Sequence, residues 1–369
     1  MNSPTDSRPE TPTTANAVLL SPVECLLAAG IVVAVLVALP ILWEAVEPLE
    51  TPPAYRMPYA LSEDYWLFER YCRQAARGAK TLVLGDSAIW GQYVTPDQAL
   101  PQQLNALAGE TRFANLGVNG MHPVALAGLL EHFGSGIRDC RVILHCNLLW
   151  TASPEHDLQA DEVDRFNHPR LVPQFVPRIP CYRATCSERL GVLVERAAPC
   201  RRWARHLRLA HLGGDDLPAW TVEHPDRSPV DAILAGLPAP SGRTRHKPIS
   251  WRDARVPIAD YDWVDLSSSR QWEYFRRALE ILERRGNRVF VLVGPFNEYM
   301  LTKASRLAYA EQKRRAEAWL REQDIAYWAP SALRSDLYAD ASHPLAGGYA
   351  RLAAGLLQHP AFIAFDGRE

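Results

Sequence analysis

The chain has 369 residues, of which 47% are hydrophobic and 22% charged, and a formal net charge of −2. This length and composition suit a globular protein of one large or two small domains and exclude overall disorder. The near-neutral balance leaves no basic surplus for a phosphate backbone, so nucleic acid is not expected as a partner.

Residues 1–16 are rich in Thr, Pro, Ser and Asn and read as a disordered tail. From Cys25 to Trp43, 19 residues pass without a charge, enough to cross a bilayer core of about 30 Å at about 1.5 Å per residue. Residues 17–43 are therefore read as a single-pass membrane anchor. A cleavable signal peptide is the competing reading. Against it stand the length of the apolar run and a preceding tail with one base, Arg8, and three acids. Charge barely orients the span, with Arg8 on one side and Arg56 the nearest base on the other.

Residues 44–77 form a connector and leading helix, and residues 78–369 the main domain. Within that domain, short apolar runs with β-branched or aromatic content end in turn residues at 81–84, 112–116, 141–149, 288–293 and 325–328. Helical periods lie between them. The clearest follows Ser267 to Ser269, sets Trp272, Phe275, Leu279 and Leu282 on one face and stops at Gly286. Such alternation predicts an α/β fold with about five parallel strands covered on both faces, and ligands at the carboxyl ends of the strands. Gly85-Asp86-Ser87, Gly117 to Gly120, Asn147 and Asn297 all fall at those ends.

Residues 151–270 break the rhythm. They hold 13 of the 29 prolines and one modest helical pattern, near Ser187 to Arg208, and read as a long loop-rich insertion or a small separate domain. Six of the seven cysteines lie beyond the span, the last three, Cys181, Cys186 and Cys200, clustered in this region. A disulfide stapling loose chain and buried free thiols are both open readings. No cysteine or histidine spacing has the form of a zinc site, so no metal is expected.

A serine nucleophile needs a base within hydrogen-bond reach, and the base needs a carboxylate to hold its tautomer. Ser87 follows the first strand. Near the C-terminus, Asp340 precedes His343 by three residues, and Pro344 marks the start of a helix. His343 is thus expected at a helix cap, with Asp340 able to meet its Nδ1. Oxyanion donors are expected from the backbone N–H of Ser87, the glycine turn at Gly120 and the Asn147 amide. His122, Asn297 and Glu298 are candidates for substrate contact, and Trp90, Trp150 and Trp328 for a sugar-binding cleft.

The order of Ser87 in Gly-Asp-Ser, Gly120 in a glycine turn, Asn147, and His343 in Asp-x-x-His resembles the SGNH hydrolases, the GDSL-like esterase superfamily. The resemblance covers residues 78–150 and 286–360. It implies a three-layer flavodoxin-like fold and assigns Ser87 as nucleophile, His343 as base, Asp340 as its partner, and Ser87, Gly120 and Asn147 as the oxyanion hole. Two departures stand out. His145-Cys146-Asn147-Leu148 replaces the Gly-x-Asn-Asp that many members show, and Ala88 replaces Leu after the serine.

An anchor joined to a long insertion is similar to envelope-associated members that add or remove acyl groups on polysaccharides. The expected activity is hydrolysis of a small acyl ester, acetyl foremost, on an envelope or exported carbohydrate outside the cytoplasm. No metal or organic cofactor is required, and other polysaccharide-modifying proteins are expected partners. An O-acyltransferase would use the same residues, and a catalytically silent carbohydrate-binding subunit would keep the same fold.

Overall fold

The computed structural model describes residues 20–78 and 80–367, so the expected tail at 1–16 and the first three residues of the expected anchor lie outside the described residues. The chain divides into two units, Met1–Val46 and Glu47–Glu369. The first unit contains α1, Pro22–Val46. The Ser21 and Glu24 side chains cap its first turn reciprocally, each accepting from the other's backbone N–H. With 25 residues and a mean hydropathy of 2.9, α1 is long and apolar enough to span a membrane. Leu26, Ile31 and Ile41 are each more than 60% exposed, the apolar surface that a lipid-facing helix presents.

The second unit is built on one parallel sheet of β1 (Thr81–Gly85), β2 (Phe113–Gly117), β3 (Arg141–Cys146), β4 (Arg288–Val293) and β5 (Ala326–Trp328). The strand order is β2-β1-β3-β4-β5. All five expected strands are present, and the third ends earlier than expected because residues 148–151 turn into a 3-10 helix.

Alternation along each strand divides the core. Leu82, Leu84, Val142, Leu144, Val291 and Val293 face one hydrophobic cluster. It is completed by α2 (Tyr65–Arg77), α5 (Pro123–Phe133), α10 (Arg270–Arg284) and α11 (Lys303–Glu322). Val83, Ile143, Phe290 and Leu292 face a second cluster, covered by α4 (Leu100–Ala108), α12 (Ala346–Gln358) and α13 (Pro360–Asp366). The remaining short helix, α3 (Ser87–Trp90), follows β1 directly. Because β1 connects outward to β2 over one face and the chain returns to β3 over the other, the chain reverses direction across the sheet beside β1. A crevice opens there at the strands' carboxyl ends.

The insertion is more helical than expected. It contains α6 (Cys186–Ala197), α7 (Pro199–His211), α8 (Leu217–Glu223) and α9 (Pro229–Leu234). The single pattern expected near 187–208 is two helices, because Pro199 cannot continue α6 and instead opens α7. All seven cysteines are free thiols, so the disulfide reading does not hold. Cys186 opens α6, Cys200 sits in the first turn of α7, and Cys181 packs into the core as a small hydrophobe.

A buried ion cluster ties the insertion to the start of this unit. The Glu47 carboxylate accepts from His206 Nε2 at 3.0 Å, from His211 Nε2 at 2.9 Å and from the Arg70 guanidinium. Asp64 takes the other nitrogen of His206 at 2.6 Å. The Glu47, His206 and His211 donor atoms lie within 4.8 Å of one another, but three ligands fall short of a closed structural metal site and Arg70 occupies the same carboxylate. Arg70 and His206 stand against the two carboxylates. Burial alone lowers the His206 pKa, but Asp64 and Glu47 outweigh it and push it up to about 9. A pKa raised above the ordinary 6.5 stabilises the fold fully below about pH 6.5, and that contribution is lost as pH rises through about 9. Glu47→Ala removes a buried carboxylate that Arg70 and His206 share, leaving His206 with Asp64. Its expected cost is about 3–5 kcal/mol, read as a lower melting temperature of the detergent-solubilised full-length chain at pH 6 and a flattened alkaline limb of the wild-type melting curve.

Candidate active site

β1 delivers Ser87 to the crevice. Asp86 caps the four-residue α3 by accepting from the Ala88 N–H at 2.9 Å, which turns the chain sharply and places Ser87 at the first helical position. The end of β2 lies against this turn. A Cβ on Gly117 would come within 2.4 Å of the Trp90 nitrogen, so only glycine admits that contact.

On the opposite side of the sheet's edge, residues 338–344 form a tight loop closed by the Ala339 N–H donating to the His343 carbonyl at 2.9 Å. Asp340 Oδ1 accepts from the backbone N–H groups of Ser342 and His343, each at 3.0 Å, an Asx turn that fixes the carboxylate beneath the ring. The following helix starts at Ala346 rather than at Pro344 as expected. The Leu345 N–H instead donates back to the Leu337 carbonyl at 2.7 Å, prolonging the loop.

These segments bring three side chains together. Ser87 Oγ lies 2.8 Å from His343 Nε2, and His343 Nδ1 lies 2.7 and 2.9 Å from the two oxygens of Asp340. Ser87 and His343 are buried, each 8% exposed. Burial alone disfavours a charged His343, but the charge of Asp340 and its hydrogen bond prevail and raise the imidazole above its ordinary value. Burial likewise raises Asp340, and the His343 charge with the loop N–H groups brings it below its ordinary value.

The residues expected as oxyanion donors follow the ends of β1, β2 and β3. Gly120 has φ +74° in the turn after β2, a left-handed conformation that suits glycine. The N–H groups of Ser87 and Gly120 donate to no acceptor among the described residues. Asn147 lines the same cleft as Ser87 and His343. Its Oδ1 accepts from the Leu149 N–H at 3.0 Å and its Nδ2 donates one hydrogen to Asp86 at 2.7 Å, leaving the second amide hydrogen.

The cleft has a volume of ≈ 420 Å³. Its far wall comes from the insertion, with His156, Leu158, Val163 and Asn167 facing Trp150 and the triad. A larger groove of ≈ 590 Å³ runs beside α6 and α7, but its Arg170 and Arg205 are paired with Glu195 and it contains no nucleophile.

The substrate-contact candidates fare differently. His122 lines the cleft, yet both ring nitrogens are engaged, Nδ1 by the Ala125 N–H and Nε2 by the Asn167 carbonyl. Burial lowers its pKa to about 3, so it is a neutral wall residue. Asn297 is fully buried and donates from Nδ2 to the Asp340 carbonyl at 3.1 Å. It braces the triad loop instead of meeting substrate, and Glu298, opening a 3-10 turn beside it, does not line the cleft. Of the three tryptophans only Trp150 reaches the cleft. Trp90 is buried with its Nε1 on the Met57 carbonyl, and Trp328 packs against Gly355 and His359.

Sequence reasoning missed Asn167, which sits against Gly120, and Tyr93, whose ring lies 5.5 Å from that of His343. No periodicity or motif marks either residue. Neither the protein-family models nor the curated proteins include a match to this chain.

Proposed function

We propose that this chain is a membrane-anchored serine esterase of the SGNH type, with a flavodoxin-like three-layer domain, that cleaves a small acyl ester, acetyl foremost, from an envelope or exported carbohydrate outside the cytoplasm. The observation that carries the reading is the continuous hydrogen-bonded chain from Ser87 Oγ through His343 to Asp340 at the sheet's carboxyl edge. The apolar helix α1 supports the anchor, and the size of the cleft favours a small acyl group next to a sugar-sized alcohol.

In this mechanism His343 Nε2 takes the proton of Ser87 Oγ as the oxygen attacks the ester carbonyl. The resulting oxyanion is met by the N–H groups of Ser87 and Gly120 and the remaining Asn147 amide hydrogen. Collapse expels the sugar alcohol, which receives the proton from His343 and leaves an acyl-Ser87. Water then repeats the cycle and releases the acid. A carbohydrate hydroxyl in place of water would make the same enzyme an O-acyltransferase. Incubating the protein with p-nitrophenyl acetate and an added oligosaccharide separates the two, since acetyl appears either in free acetate or on the sugar. Absence of both products from folded protein would defeat the enzymatic reading in favour of a silent binding subunit.

The raised His343 pKa has a kinetic consequence. The base must be neutral to accept the serine proton, so kcat/KM is expected to rise with pH through a limb lying above the ordinary histidine value of 6.5. A pH-rate profile measures it, and a limb at or below 6.5 would contradict the assigned environment.

A further inference from the structure

His145 occupies the next-to-last position of β3, directly under the nucleophile turn, and is 5% exposed. Its Nδ1 lies 3.1 Å from Asp86 Oδ1 and its Nε2 lies 3.1 Å from the Gly294 carbonyl at the end of β4. Burial alone raises the Asp86 pKa, but the charge and hydrogen bond of His145, with a hydrogen bond from Asn147, hold it well below the ordinary carboxylate range. The Gly294 carbonyl is an acceptor, and the N–H groups of Ala88, Asn147 and Trp150 around Asp86 make its carboxylate one as well, so the ring lies between two acceptors.

Asp86 in turn is fully occupied. Oδ1 accepts from the Ala88 N–H and His145, and Oδ2 accepts from Asn147 Nδ2 at 2.7 Å and Trp150 Nε1 at 3.1 Å. Four donors match the four lone-pair sites of a carboxylate. The same carboxylate thus holds the turn that presents Ser87, the amide that faces the oxyanion and the tryptophan that walls the cleft. β1 runs close beside this position, for a Cβ on Gly85 would lie 2.5 Å from Ile89 Cγ1 and 2.7 Å from the His145 Cβ.

We propose that His145 is a positioning residue for the reaction: by donating to both Asp86 and the Gly294 carbonyl it locks Asp86, and through Asp86 it sets the orientation of the Asn147 amide and the Ser87 turn. The proposal deepens the esterase reading and rests on it. It also gives a role to the His145-Cys146-Asn147 sequence, which stands where many of the resembled enzymes carry Gly-x-Asn. Glutamine at position 145 offers a donor to one acceptor and cannot serve both, so Asp86 or the β4 carbonyl loses its partner and the Asn147 amide is freed to turn. Loss of a preorganised oxyanion donor lowers kcat by about 10²–10³-fold.

The test compares wild type, His145→Gln, Asn147→Ala and the double variant with p-nitrophenyl acetate as probe, alongside melting temperatures of the full-length chain. The expected result is a kcat reduced by about 10²-fold in His145→Gln with KM changed by less than about threefold, and a double variant no slower than Asn147→Ala alone, because both act through one donor. A folded His145→Gln with wild-type kcat, or losses that multiply in the double variant, would overturn the positioning role. Should His145→Gln not fold, the ¹⁵N shifts of the His145 ring in the wild type decide: two protonated nitrogens uphold the proposal, and one bare nitrogen refutes it. A wild type that neither turns over the probe nor reacts with a fluorophosphonate removes the esterase reading itself, a result distinct from either of these.

Discussion

Ser87→Ala is expected to abolish covalent labelling by a fluorophosphonate and to lower esterase kcat by roughly 10⁶-fold, the scale seen when a triad nucleophile is removed. The substitution deletes one hydroxyl whose partner is His343 Nε2. The imidazole keeps both Asp340 contacts, so the ring stays in place and the fold is little disturbed, by about 1 kcal/mol. Labelling of the full-length protein, read by gel fluorescence with the melting temperature measured in parallel, checks it. Equal labelling of wild type and variant would show that another group reacts and would remove Ser87 from its role.

The second large effect is expected at Asp340→Asn. Asparagine keeps an oxygen to accept from the N–H groups of Ser342 and His343, so the loop is retained. Its amide nitrogen then stands in the place of Oδ2, 2.9 Å from His343 Nδ1, and by donating there it competes with the Oδ1 contact and favours the tautomer that carries the ring proton on Nε2. An Nε2 that already carries a proton cannot take one from Ser87. The expected loss in kcat is about 10⁴-fold, or about 5.5 kcal/mol, with little change in melting temperature. A folded variant losing less than tenfold would mean that Asp340 contributes only to the loop. Wild type and variant also differ in pH behaviour, since the charge of Asp340 is the principal force raising the His343 pKa.

The two halves of the site were legible in the sequence to different degrees. Ser87, Asp340 and His343 could be selected because each sits in a short motif whose local geometry is self-contained: an Asp-capped turn after a strand, and an Asx turn before a helix. Asn297 was placed correctly at a strand end, but strand ends point both into the crevice and into the loops around it. Its amide brackets the Asp340 loop because that loop packs over β4. Nothing local in the sequence separates His122 from His145. One is a neutral helix cap and the other is held between a carboxylate and a carbonyl, a difference set by what lies across from each.

By itself the sequence determined the apolar span, the five strands and the helix that follows Ser269, because hydrophobic period, turn residues and caps act over a few neighbouring residues. Tertiary structure alone decided the encounter of Ser87 with His343 across 256 positions, and the saturation of Asp86 by groups about 60 residues away. It also decided the Glu47 cluster with α7 and the use of residues 155–167 as a cleft wall. Those contacts depend on how helices seat against the two faces of the sheet, and a hydrogen bond a few ångströms long is sensitive to every packing choice between its ends.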